Sequence, residues 1–424
     1  MKRYQNLTVA SLNAAEAAYH LFNDGFTFIM NRRRLMNTDV FTIDVPGLKV
    51  ICIGGEEAAG VFYDPEKFVR KGAIPIPVQK TLTGLDAIHT TDASQHSHRK
   101  ALFMSFMTED NVARLQQLIR HELEVASISW SKRDRIVLFE ESGIILCEAI
   151  CAWAGVPLAV NDSPLRAKQF IAMVDAFGTM GARHFKGVKA RKQVEAWITE
   201  LIEKLRTGQL NVDPNSPLYH CAHFKEVDGS GLSAKLAAVE LINILRPTVA
   251  ISWYITFAAT ALFSNDSYKE QFISGSEAYQ ENFINEVRRF FPFAPFMGAK
   301  VWESFVWKGV EFSKGNLVLL DMYGTNHDDR LWDNPFAFIP ERFGGRQIKP
   351  YDFLAQGGGY PETGHRCPGE LITVETLKTV LHFLATQIEF AIPKQDMSYP
   401  FSRMPTRPRD GFIMENIKPV EKQQ

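Results

Sequence analysis

The amino-acid sequence predicts one large, mainly α-helical domain with small β portions. Three observations carry that expectation. Helical periodicity dominates from about 56 to 291, strand-like alternation is confined to 40–53 and 299–320, and no repeat, linker or βαβ alternation divides the 424 residues. Composition agrees: 46% hydrophobic and 22% charged residues, with 31 Phe, 11 Tyr and 7 Trp, supply a large core. The formal net charge of −1 removes the electrostatic case for nucleic acid, because no excess of basic residues is available to neutralise phosphates.

In chain order, residues 8–30 read as a helix, with Leu12, Ala15, Ala18, Tyr19 and Phe22 at helical spacing. The region 40–53 alternates around Pro46-Gly47 and predicts a β-hairpin. A helical body from 56 to 291 follows, with helices expected at Glu56–Phe62, 95–107, 110–131, 141–154, 165–180, 188–206, 234–263 and 278–291. Strands return at 299–320 around Trp307-Lys308-Gly309 and Ser313-Lys314-Gly315. A β and cysteine-loop region extends to about 370, and a final helix from Pro368 to Thr386 opens the C-terminal segment 368–424. The apolar run Leu241–Phe263 is long enough to span a bilayer. It contains Arg246-Pro247, so a buried core helix is expected and no membrane anchor. The stretch Met1-Lys2-Arg3-Tyr4-Gln5 leads into an amphipathic segment and not an apolar signal. Five scattered cysteines without a Cys-x-x-Cys give no disulfide framework, and Cys147 and Cys151 read as core thiols. A reduced, cytoplasmic location is expected.

The chemistry concentrates in Gly364-His365-Arg366-Cys367-Pro368-Gly369-Glu370, just after Gln356-Gly357-Gly358-Gly359. A cysteine where a glycine-rich loop enters a helix meets free backbone N–H groups and the positive end of the dipole, both of which favour thiolate. His365 is placed to donate to an anionic group beside it. Upstream, Glu286 and Arg289 share a helix face, and Pro340-Glu341-Arg342-Phe343 can offer Arg342 to the same carboxylate. In the long helix, Leu245-Arg246-Pro247-Thr248 puts an arginine and a helix-kinking proline in an apolar stretch. A buried guanidinium there calls for an anion.

The ordered set E-x-x-R, P-E-R-F and a glycine-rich loop ending in cysteine resembles the cytochrome P450 superfamily over essentially the whole chain. The resemblance implies a single haem-binding domain over 1–424. Cys367 would be the thiolate ligand of haem b, and Glu286, Arg289 and Arg342 a buried structural triad. Tyr360-Pro361-Glu362-Thr363 lengthens the loop beyond the usual pattern. The acid–alcohol pair that most members carry in the long helix is missing, and Arg246-Pro247 occupies its place. That pair resembles the fatty-acid peroxygenase family of the superfamily, as do Ala87-Ile88-His89-Thr90, Arg99-Lys100-Ala101-Leu102-Phe103-Met104, Ala152-Trp153-Ala154-Gly155-Val156-Pro157 and Tyr323-Gly324-Thr325-Asn326-His327-Asp328.

This resemblance implies a long-chain fatty acid as substrate and hydrogen peroxide as oxidant, with no obligatory redox partner. Products would be 2- or 3-hydroxy acids, terminal alkenes by decarboxylation, or both. Arg246 and Pro247 would dock the substrate carboxylate, which would replace the missing acid. His89 would donate a hydrogen bond above the haem. His96, Lys100 or Arg99, and Arg70 are candidate haem-propionate contacts. Leu82, Thr83, Ile88, Val174, Phe177, Phe293 and Phe296 are candidate tail contacts. The alternatives are a redox-partner-dependent monooxygenase, a fatty-acid hydroperoxide isomerase or dehydratase, and a haem-based fatty-acid sensor without turnover.

Overall fold

The computed structural model describes residues 10–420. Two β regions and a helical body surround a helix that runs through the centre. Ala234–Val249 continues after Ala250 as Ile251–Leu262, and nearly every side chain on both segments is buried. This is the apolar run that length alone would allow across a bilayer; within the protein 89% of its most hydropathic window is buried. The segment is therefore a core helix, as expected. Leu241, Leu245, Tyr254 and Phe257 pack into one cluster with Leu146, Ile150, Ile198, Leu377 and Leu381 from the surrounding helices. Pro247 lies inside the helix, and the ladder loosens at Ala250, about one turn later.

The expected hairpin forms from Val40–Val45 and Leu48–Gly54, turning where Gly47 adopts φ +75°. It belongs to a six-stranded sheet completed by Leu317–Asp321, Phe296–Val301, Phe68–Val69 and Ser11–Asn13. A second expected turn joins Phe305–Trp307 to Val310–Phe312 through Lys308 and Gly309, both at positive φ.

One expectation needs correcting. The predicted 8–30 helix begins with the strand Ser11–Asn13, which pairs parallel to Thr42–Asp44. Asn13 then caps Ala14–Asp24 in a capping box with Glu16. Gly25 at φ +52° ends that helix where Phe26 N–H bonds to Phe401 O at 3.0 Å, and a new helix runs Phe28–Leu35. Helical periodicity did not register the tertiary partner at Gly25. Residues 8 and 9, and Met1-Lys2-Arg3-Tyr4-Gln5, lie outside the described residues.

Candidate active site

Cys367 sits in the loop before the helix Glu370–Thr386, and its N–H donates to Gln356 O at 3.0 Å. The loop lies deep in the protein, yet the residue keeps partial exposure, so the thiol faces a hollow and not packed core. The added Tyr360–Gly364 segment closes on itself, Gly364 N–H to Tyr360 O at 2.9 Å, and Tyr360 projects outward at 59% exposure. It leaves the approach of Cys367 to Gln356 intact. Burial raises the Cys367 thiol above its ordinary value, outweighing the Gly369 N–H and Lys100, which pull it down. Ligation of a metal cation would be needed to deprotonate it outright.

Beside the thiol, basic groups gather without a carboxylate of their own. His365 lies against His96 with ring centroids 3.9 Å apart and the rings tilted by 34°. Lys100 Nζ donates to Arg366 O at 2.5 Å, and burial lowers the ammonium to about 8. Arg70 lies over the Phe62 and Tyr63 rings with a buried Nε that has no partner, and burial lowers it to about 10. His96 is lowered to about 4 and His365 lower still, by burial first and by neighbouring cations second. Of the acids within their electrostatic reach, Asp92 is already committed to the Arg70 and Lys71 backbone N–H groups at 2.7 and 2.9 Å, and Glu362 acts on Lys100. The arrangement fits a flat group that carries two carboxylates and an iron atom seeking a sulfur ligand, as haem b does. Arg99 does not share this environment, although its sequence context suggested it. Its guanidinium bonds to Glu226, to Glu240 Oε1 at 2.8 Å and to Asp86 O at 2.7 Å.

Across the hollow, the central helix presents Arg246. Its side chain is 7% exposed, Nε is buried without a partner, and the guanidinium makes no hydrogen bond or ion pair with any described residue. The buried guanidiniums of Arg33, Arg99, Arg191, Arg288 and Arg289 each hold a carboxylate, whereas Arg70, like Arg246, holds none among the described residues. Burial lowers Arg246 to about 9, Arg191 adds to the effect, and the nearby Cys367 thiol opposes it. Thr248 cannot stand in for the missing alcohol, because its hydroxyl donates back to Ile244 O at 3.0 Å.

His89 lies in the turn Ile88–Thr90 with Nδ1 buried and unpaired. Burial first, then Arg246, Arg191, Lys100 and His96, lowers it to about 3, so the imidazole is neutral. The turn is tied to the central helix by Ile88 N–H to Glu240 Oε1 at 2.9 Å and by Asn243 Nδ2 to Thr83 O at 2.9 Å. Gly84 at φ +83° permits this approach, since a Cβ there would lie 2.3 Å from Arg191 Nη2 and 2.6 Å from Val239 Cγ1.

Four of the candidate tail contacts are brought near one another. Val174, Leu82 and Phe293 pack with Ala250, Phe139 and Trp253 in an apolar cluster apart from the main core, while Thr83 is buried in the adjoining loop. Phe177 follows the helix Ser163–Asp175, next to Val174. Two candidates fall elsewhere. Ile88 packs into the main core, and Phe296 packs with Leu12, Phe28 and Phe41 against the sheet. Each lies in a segment that also carries a neighbouring candidate, but points to a different core.

The triad assembles. Arg289 bonds to both oxygens of Glu286 at 2.7 and 2.8 Å, and Arg342 Nε reaches Glu286 Oε1 at 3.1 Å. Sequence reasoning missed a second network, in which Glu370 bonds to Arg288 and, at 2.6 Å, to Arg366 Nε. Burial works against that carboxylate, but the two arginines hold it at about 2. Arg288 also reaches Gln356 Oε1 at 3.2 Å, tying the cysteine loop to the E-x-x-R helix. Glu240 was missed as well. The only sequence signal was an acid in an otherwise apolar helix.

A family model for cytochrome P450 matches residues 278–415. Cytochrome P450 137 of Mycobacterium tuberculosis is 29% identical over 225 residues, 51% of this chain; the match spans 46%, about half, of that relative's length. Among solved structures, cytochrome P450EX alpha with myristic acid (CYP152N1) is 36% identical, covering 97% of this chain and 100% of that one at a TM-score of 0.94. A variant of cytochrome P450SP alpha (CYP152B1) is 38% identical, covering 95% and 98% at 0.92. A variant of cytochrome P450 OleT in complex with arachidonic acid is 32% identical, covering 98% and 100% at 0.94. Fold and cysteine loop make this chain a member of the cytochrome P450 superfamily. Within it, the chain belongs with the CYP152 fatty-acid peroxygenases.

Proposed function

We propose that the protein is a haem-thiolate peroxygenase that uses hydrogen peroxide to oxidise long-chain fatty acids at Cα and Cβ, giving 2- or 3-hydroxy acids, terminal alkenes, or both. The observation that carries this reading is the unpaired, buried guanidinium of Arg246 facing the Cys367 hollow. A cation left without its counter-ion in the interior is costly, and a carboxylate that enters with its substrate removes the cost.

Cys367 would hold the iron of haem b, with Arg70, His96, Lys100 and His365 around its propionates. When bound, haem supplies the oxidising chemistry, with hydrogen peroxide as oxidant. Everything else falls to the chain. Arg246 holds the carboxylate through a charge-assisted, forked pair. Fixing the head group places Cα and Cβ nearest the reacting centre, while the Val174, Leu82 and Phe293 cluster receives the tail. The docked carboxylate also stands where the acid–alcohol pair is lacking. With haem bound, its oxygen would take a proton from one peroxide oxygen and return one to the other, so that the second oxygen departs as water and the first remains for oxidation of the substrate. Neutral His89 offers one N–H donor to orient the head group. Because hydrogen peroxide already carries oxygen at the reduced level that dioxygen reaches only with two electrons, no electron-delivering partner is needed.

The test is peroxide-driven turnover of one saturated fatty acid by purified holoenzyme without any reductase. Oxidation confined to Cα and Cβ is expected, and Arg246→Ala should lower the rate by about a hundredfold or more. Turnover that demands a reductase, or survives intact in Arg246→Ala, contradicts the reading.

A further inference from the structure

We infer that Glu240 is the positioning residue of the His89 turn, the strut that fixes where His89 stands relative to Arg246 and so tunes the product outcome. The inference rests on the peroxygenase reading above. Glu240 and Arg246 share the central helix, and the Glu240 side chain is 1% exposed. Its Oε1 accepts both the Ile88 N–H at 2.9 Å and Arg99 Nη1 at 2.8 Å. Arg99 in turn holds Asp86 O at 2.7 Å, so one carboxylate and one guanidinium grip the chain on either side of Ala87, just before His89. The rest of the turn is held by its own short bonds, from the N–H and hydroxyl of Thr90 to Ala87 O and from those of Thr91 to Ile88 O. His89 itself has no ring partner that would fix it directly, since Nδ1 is buried and unbonded.

A carboxyl this deep is costly to keep as a packing element. Its Oε2 is buried and makes no close hydrogen bond, and the Asn243 amide one turn on, which donates to Thr83 O at 2.9 Å, gives the carboxyl only additional polar support. Burial pushes the group up to about 7 against the pull of Arg99. Arg191 and Cys221 also lie within its electrostatic reach, and Glu226 competes for Arg99. A feature so expensive, placed between the helix that carries Arg246 and the turn that carries His89, is explained by what it holds in register.

The experiment compares Glu240→Gln, which keeps the Oε1 acceptor, with Glu240→Leu, which removes it. Amide hydrogen exchange over 87–90 should speed up about tenfold or more in Glu240→Leu and stay near wild type in Glu240→Gln. With one saturated fatty acid and peroxide, the ratio of hydroxy acid to alkene should shift at least about twofold in Glu240→Leu alone. In a His89→Ala background the same substitution should no longer move that ratio, whereas a merely structural defect would persist there. If wild type fails to turn over with peroxide, the peroxygenase reading fails. If wild type turns over, but Glu240→Leu leaves exchange and ratio unchanged, or shifts the ratio equally without His89, the inference is wrong. Should Glu240→Leu fold too poorly to assay, a Glu240→Gln variant whose exchange and product ratio depart from wild type overturns it as well.

Discussion

Arg246 and Glu240 are six residues apart on one helix and carry opposite electrostatic strain. The burial that lowers Arg246 to about 9 is uncompensated in the substrate-free protein. Arg246→Met should therefore raise the stability of that form, by about 1–3 kcal/mol in denaturant unfolding, while turnover is lost. A destabilised Arg246→Met would mean that the guanidinium already has a partner. For Glu240 the sign runs the other way. Its folded value, about 7, lies above the unfolded value near 4.5. Below about pH 4.5 both states are protonated. As pH rises to about 7 the unfolded chain ionises first, and folding stability falls by roughly 2–3 kcal/mol. Wild type should lose that much relative to Glu240→Gln between pH 4.5 and 7, read from urea midpoints at each pH. Both residue types were visible in the sequence, but only Arg246 could be interpreted there. Arg246-Pro247 is a local signature, whereas Glu240 acquires its meaning from Ile88 and Arg99, 152 and 141 residues away.

Among elements, the helix Glu277–Phe290 is held by two ionic networks, one to the Pro340–Phe343 turn and one to the cysteine loop. Glu286 is fully buried and satisfies Arg289, Arg342 and the Ile339 N–H at 2.8 Å. Removing it leaves Arg289 and Arg342 without their carboxylate, held only by backbone carbonyls. Glu286→Ala should cost about 3–5 kcal/mol and appear as poor soluble yield and weak haem incorporation. A well-folded, haem-replete but inactive variant would point to a different role. Cys367→Ser should remove the red-shifted Soret band that reduced, thiolate-ligated haem gives with carbon monoxide, whereas Cys52→Ser, in the sheet cluster, should leave it. The triad was legible because E-x-x-R spacing fixes one helix face and only Arg342 had to be found elsewhere. The Arg288–Glu370–Arg366 network was not, since the first arginine of Glu286-Val287-Arg288-Arg289 gives no local sign of which face meets the cysteine loop. The N-terminal helix break at Gly25 was illegible for the same reason: its partner, Phe401, lies at the other end of the chain.

For the whole molecule, the central helix brings the unpaired Arg246 within electrostatic reach of the Cys367 thiol. The fold class, the cysteine loop and the arginine–proline pair were readable because each is written in a short contiguous stretch. The tail contacts were read less well, since an apolar side chain in the right segment can still face another core, as Ile88 and Phe296 do. The central claim is that the acid–base group arrives with the substrate. A substrate without a carboxylate, such as an aromatic alcohol, should be oxidised only slowly with peroxide alone. Adding a short carboxylic acid, too small to be the substrate, should restore that oxidation by occupying Arg246, while the matching primary alcohol or amide should not. The rescue should vanish in Arg246→Ala. Equal rates with and without the short acid would show that the protein carries its own acid–base group, and would contradict the account.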